Sequence, residues 1–340
     1  MSAWQRALEA WIGFWDRREY AHGLALVRIG VGAVLLADLL TIAWLGLVPR
    51  LWGPSNEHGF GPASYHEPIC WFYRWFGAST SNAWVLFGLA CVSAACLCLG
   101  LFTRCSALLF VLSNAQLSQL SPAADRGIDI LLRNVCLLLA CSSAGATWSL
   151  DARLRHGRFD RDVQVPAWPR YLLVLQLAVL YFQSGMLKQS AQWTSVDDYS
   201  ALYVVLHRPH FARIALPEWL LAAAYPMLQL SAVVTLIFER GALLMPLLLW
   251  LHATRQRGGR WRAFVQRSRI LQIWVCVGVG FHLMLAVLLV LGIFPWGCLA
   301  LYPALAQPGT WRSLGRRWLT PHTGVMAAAK SHSGLATAAK

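Results

Sequence analysis

The sequence predicts an all-α fold: a polytopic membrane bundle of about seven (six to eight) transmembrane helices behind an N-terminal amphipathic helix. Three observations carry that prediction. Hydrophobic residues make up 57% of the 340-residue chain and charged residues 13%, about half the roughly 25% charge of a water-soluble domain. Several apolar stretches reach the roughly 20 residues that span a hydrocarbon core about 30 Å thick. Those stretches lack the alternation of barrel strands, so their backbone polar groups are satisfied within helices.

The first twenty residues, MSAWQRALEAWIGFWDRREY, mix Trp with Arg and Glu and contain no apolar core of the kind a leader peptide needs. They predict an interfacial helix over residues 1–20 with Trp4, Trp11 and Trp15 towards lipid. A transmembrane domain follows over 21–311, with spans at about 22–48, 83–103, 105–120, 130–148, 170–189, 219–253 and 270–303. The third is short and ends in the polar stretch SNAQLSQLS, which suits a tilted helix or one packed inside the bundle. The sixth, at about 35 residues or roughly 52 Å, exceeds one upright crossing, and Pro226 and Pro246 offer kinks. The seventh is broken by GIFPWG at 292–297 into a crossing and a short return. Residues 312–340 are expected to form a disordered tail, rich in Ala, Ser, Gly and Thr beyond 323.

A formal charge of +14 would suit nucleic acid, but its distribution suits a bilayer, and no nucleic-acid partner is expected. Arginines crowd loops 149–169 and 254–269, while loops 49–82, 121–129 and 190–218 are poor in Lys and Arg. The positive-inside rule then makes the N-terminus cytoplasmic and faces the other three loops outward. Two of those outward loops are dense in aromatics: Trp52, Phe60, Tyr65, Trp71, Tyr73 and Trp75 in one, Trp193, Tyr199 and Tyr203 in the other. They suit interfacial caps or the roof of a cavity.

Nine cysteines include no C-x-x-C pair, so neither a zinc site nor a dithiol is indicated. His207 and His210, in H-R-P-H, share the outward side with His58 and His66, but the proline spoils a common helix face and no metal is expected.

Ionisable residues inside spans are costly and usually face the bundle interior. Here they are Arg28, Asp38, Lys188, Glu239, Arg240 and His282. Arg28 lies near enough to its helix start to snorkel, Glu239 and Arg240 suit an ion pair, and His282 suits a packing histidine. Lys188 closes YFQSGMLK at the outward end of its span, roughly 27 Å beyond Arg170. It suits either a snorkelling lysine or a site residue, since Ser184 and Gly185 let a backbone or flat ligand approach.

Taken together, YFQSGMLK, the following QW and DYSALY, LSAVVTLIFE at 230–239 and FHLMLAVLLVLGIFPW at 281–296 resemble the HTTM family. These are the bacterial membrane relatives of vitamin K-dependent gamma-carboxylase. ALVRIGVGAVLLADLL at 25–40 and TWSLD at 147–151 also fit, so the resemblance covers roughly residues 20–310. It implies a bacterial inner-membrane protein and, in the carboxylase, a base at the position of Lys188 that starts oxygenation of reduced vitamin K. The sequence departs from the enzyme where Leu187 replaces the first of two lysines, and where PAADRGID before the fourth span lacks histidine. Asp129 or Asp125 is then the acid placed to pair with Lys188.

Two functions are compatible with this resemblance. One is a membrane-embedded modifying enzyme of carboxylase-like type, using a reduced quinone as lipid-soluble partner in an outward-facing cavity. Lys188 would be base or anchor, Tyr181, Trp193, Tyr199 and Asp129 would line the pocket, and Glu239 and His282 would lie inside the bundle. The other is a non-catalytic maturation, export or immunity factor for a secreted peptide.

Overall fold

The computed structural model describes residues 2–62 and 70–319. Tyr65, His66 and residues 320–340 lie outside them. The fold is helical, with one two-stranded ribbon in which β1 (Arg18–Tyr20) pairs antiparallel with β2 (Gln164–Pro166), Glu19 opposite Val165.

Helix α1 (Ala3–Trp15) opens on a capping box in which Ser2 and Gln5 each bond the other's backbone. The bundle then runs through α2 (His22–Trp44), α3 (Thr80–Leu99), α4 (Thr103–Leu120), α5 (Gly127–Cys141) and α6 (Trp168–Leu187). It continues through α7 (Glu218–Arg240), α8 (Leu244–Ala253), α9 (Ile270–Leu288) and α10 (Phe294–Leu301), and α11 (Pro308–Leu319) closes it. Among the described residues five helices are long and apolar enough to cross a membrane: α2, α3, α6, the joined α7–α8 and α9. Helices α4 and α5 run beside them, α4 packed on α3, and α5 on α4 and α6.

The core gathers one face of each helix: Val27 and Val31, Leu86 and Leu97, Phe110 and Leu117, Leu132 and Leu139, Leu173 and Leu177, and Leu301. The polar end of α4 is packed inside the bundle, where Ser113 and Gln116 are buried and Gln116 Oε1 accepts from Phe72 N at 3.2 Å. Apolar faces of α7 and α9 stay exposed, Met227, Ile237 and Ile273 among them, as a lipid-facing surface requires.

The return at GIFPWG forms: α9 stops at Leu288, and α10 restarts with Pro295 in its first turn, where a missing N–H costs nothing. It carries the chain back to the end where it began. Arg170 pairs with Glu19 at 2.7 Å and donates to Ala304 O, and Arg312 pairs with Asp162 at 2.7 Å and donates to Tyr20 Oη. The arginine-rich loops, the ribbon and α11 therefore share one end of the bundle. Helix α11 takes in residues 312–319 of the segment expected to be a disordered tail.

Several expectations are corrected. Trp4 and Trp11 are exposed on α1, but Trp15 turns inward against Tyr171, beside the Phe14–Tyr171 stack at 4.6 Å. The sixth span is not broken at either proline: α7 runs through Pro226, Pro246 sits in the first turn of α8, and the break is the 3-10 turn Gly241–Leu243. Arg28 does not snorkel. It is fully buried and donates to Leu97 O at 2.8 Å and Cys98 O at 2.9 Å at the end of α3, and to Trp148 O beside them. Trp52, Phe72 and Tyr73 belong to the core rather than to a surface roof, with Tyr73 Oη donating to Trp52 O at 2.9 Å.

Candidate functional site

Helix α6 ends at Leu187 and Lys188 is its C-terminal cap. Four residues earlier, Ser184 lies on the same face, so the lysine folds back along its own helix. Lys188 Nζ donates to Ser184 Oγ at 2.8 Å, Glu239 Oε2 at 2.7 Å and Glu239 Oε1 at 2.9 Å. Ser184 Oγ also donates to Glu239 Oε1 at 3.1 Å, closing a three-residue cluster. The lysine side chain is 21% exposed and the glutamate 4%. Trp193, from the short turn of helix after Ser190, places its ring centroid 5.3 Å from Nζ.

The cluster sits where α7 gives way to the Gly241–Leu243 turn. Arg240 Nε donates to Gly185 O and its NH2 to Lys188 O, each at 3.1 Å, so Arg240 covers the carbonyls left open at the end of α6. Any side chain at Gly185 would press on Glu239 and Arg240. Glycine is what lets the two backbones meet there. The expected Glu239–Arg240 pair is thereby replaced: Glu239 takes Lys188, and Arg240 takes backbone.

Two turns deeper on α6, Tyr181 is buried and its hydroxyl lies 2.5 Å from His282 Nε2 and 3.1 Å from Tyr302 Oη. Phe238 and Trp274 stack at 4.4 Å beside them. His282 Nδ1 and Trp274 Nε1 are buried without a hydrogen-bond partner. Tyr302 was not singled out in the sequence, because only the return of the chain at GIFPWG brings it beside Tyr181.

Asp129 does not meet Lys188. Its carboxylate accepts from Arg126 at 2.8 Å, and Arg126 bridges to Asp38 at 2.6 Å. Asp125 is held by Arg133 at 2.7 Å. Local geometry decides this outcome: Asp129 is three residues into α5 and reaches back to Arg126, the residue that caps that helix. Tyr199 is half-buried with a left-handed backbone (φ 45°) in loop 190–218. That loop packs over α7, through Gln229 and Tyr225 to Asp198 O and through His207 to Glu218 at 2.9 Å. Among the described residues no group of three or more His, Cys, Asp or Glu is placed to hold a metal ion.

The family model described as the HTTM domain matches residues 17–311. The chain belongs to the HTTM family. No solved structure matches it. In this HTTM protein, two segments that carry the resemblance do structural work at the arginine-rich end. Arg28 of ALVRIG caps α3, while Asp151 of TWSLD accepts from Phe102 N, Thr103 N and Thr103 Oγ, each at 2.8 Å, and so caps α4. The α3–α4 turn between them passes through Gly100 at φ 70°, a conformation glycine adopts without strain. YFQSGMLK and LSAVVTLIFE, by contrast, supply the two halves of the Lys188–Glu239 pair.

Proposed function

We propose that this HTTM protein is an integral protein of the bacterial inner membrane, with its N-terminus cytoplasmic. We further propose that it is a membrane-embedded modifying enzyme working with a reduced, quinone-like partner where Lys188 meets Glu239. The observation that carries the proposal is the inward turn of Lys188: a lysine that only anchored its helix would extend to the headgroups. Here it is drawn onto a nearly buried carboxylate.

The residues suit a hydroxyl-bearing ring. Glu239 offers an acceptor, Lys188 an ammonium and Trp193 an aromatic face beside it. A reduced quinone, when bound, supplies an acidic hydroxyl and reducing equivalents. Moving one ammonium proton along the 2.7 Å contact to Glu239 Oε2 leaves both groups neutral. Lys188 Nζ then has the lone pair that a base requires. Ser184 holds both partners in register, Trp193 and Tyr199 bind the ring, and Asp129, bound to Arg126, steadies the start of α5 on the same side. Tyr181 and His282 form the buried floor.

A second reading draws on the same geometry. Nζ has an acceptor for each of its three hydrogens, Ser184 Oγ and both glutamate oxygens, which favours the charged lysine. A permanently charged Lys188 suits an electrostatic anchor in a non-catalytic maturation, export or immunity factor that binds a secreted peptide.

Hydroquinone-dependent oxygen uptake, with and without CO2, in membranes holding wild type, Lys188→Ala or Lys188→Arg separates the two. The enzyme requires uptake that vanishes in both variants, because arginine stays protonated. Background uptake in all three removes the enzyme and leaves the anchor.

A further inference from the structure

The arginine-rich end carries a cavity that the Lys188 site does not use. It encloses about 400 Å³ between the start of α4, the end of α5 and the short helix Leu150–His156, and Arg104, Arg155, His156 and Arg161 line it together with Ser142 and Ser143. Its only carboxylate, Asp151, is spent on the N-terminus of α4. Arg104 donates through Nε to Ser142 O at 3.2 Å, and none of the three arginines forms an ion pair among the described residues. Three guanidinium groups thus face one cavity that holds a single carboxylate, itself bonded to the start of α4. Cations gathered in such numbers around one cavity call for an anion with several acceptor oxygens.

What lies beneath the cavity identifies the anion's source. The outer face of α4 continues from the cavity as Leu108, Leu109 and Leu112, and that of α5 as Leu137, all exposed. The result is an exposed apolar face leading away from a basic mouth. A free phosphate would use the mouth and leave that apolar face bare. A phospholipid uses both.

We infer that the cavity is a binding site for an anionic glycerophospholipid: its headgroup phosphate lies among Arg104, Arg155 and Arg161, and its acyl chains lie along the exposed apolar face of α4 and α5. Basic pockets between membrane helices on the positively charged side recognise lipid headgroups in this way. The site fixes the bundle's depth at that face and is separate from the Lys188–Glu239 cluster at the opposite end of α6.

The test uses the full chain released from nanodiscs of equal phosphatidylglycerol and phosphatidylcholine, with retained lipid counted by native mass spectrometry. Wild type should keep phosphatidylglycerol in preference to phosphatidylcholine. Arg155→Gln/Arg161→Gln should weaken that preference by roughly fivefold per arginine, the ratio that about 1 kcal/mol per basic residue at a membrane surface corresponds to. Arg155→Lys/Arg161→Lys, which keeps the charge, should retain most of it and decides the matter if the glutamine variant does not fold. An unchanged preference in the glutamine variant overturns the site. So does an equal loss in Arg267→Gln/Arg269→Gln, which lies on the same end but outside the cavity. Displacement of the lipid by inorganic phosphate at matched concentration would assign the cavity to free phosphate and overturn the lipid.

Discussion

Lys188 Nζ lies 2.7 Å from Glu239 Oε2, and this ion pair joins the end of α6 to the end of α7 beside the turn where the long sixth span breaks. Its two members lie 51 residues apart in the chain. Neither the apolar period of either helix nor the distribution of arginines points to the pairing, yet its glutamate is almost fully buried.

Removing one partner should cost more than removing both. Glu239→Gln leaves Lys188 without its counter-charge, and breaking a buried pair from one side costs roughly 3–5 kcal/mol. The 21% exposure of Lys188 lets water recover part of that. Lys188→Met/Glu239→Gln should therefore be the more stable protein. Thermal unfolding in a fixed detergent measures both, and a double variant no better than Glu239→Gln would show that the pair adds nothing to the joint.

The buried arginine is a sharper case. Arg28 bonds two carbonyls at the α3 end and Trp148 O with a planar fork, so Arg28→Met removes three hydrogen bonds and should destabilise the bundle by roughly 1–3 kcal/mol for each buried acceptor left unsatisfied. Arg28→Lys should recover little, because an ammonium is a point charge that cannot span the three. Full stability in the lysine variant would mean that charge alone, rather than the fork, holds the turn.

Below the ion pair, Tyr181→Phe removes the hydroxyl shared by His282 and Tyr302. Leaving His282 Nε2 buried and unsatisfied should cost about 1–3 kcal/mol. The loss should shrink in Tyr181→Phe/His282→Leu, where neither polar group remains. Additive losses in the double variant would show that the two groups do not interact.

The helices were legible in the sequence because length and apolarity are local properties. The span predicted at 170–189 is α6, and the break at GIFPWG follows from Pro295 and the residues around it. The partners of the charged residues were not legible, because they depend on how helices turn towards each other. Arg28 has the same local setting whether it snorkels or caps, and only the arrival of α3 and Trp148 decides. The partner of Lys188 was misassigned for a related reason. Asp129 shares its side of the membrane, but a residue three positions away captures it first. Arg240, adjacent to Glu239 in sequence, points at backbone because consecutive residues on a helix face different ways.

The loop that packs over α7 should respond to pH through His207. Its imidazole sits against Tyr203 O at 2.8 Å and the Glu218 carboxylate at 2.9 Å, and both raise its pKa above the usual 6.5, the backbone carbonyl most strongly. A histidine whose folded value is raised adds stability that is complete below its unfolded value and is lost as pH rises through the folded one. The clasp between the helix Ala201–Leu206 and the start of α7 should therefore be tight below about pH 6.5 and loosen above the raised value. Hydrogen exchange of residues 201–206 across that range measures the loosening, and NMR of ring-labelled histidine measures the titration. Glu218→Gln should lower the His207 pKa while leaving it partly raised, since Tyr203 O remains. Titration at or below 6.5 in the wild type would show that the clasp does not form in the membrane.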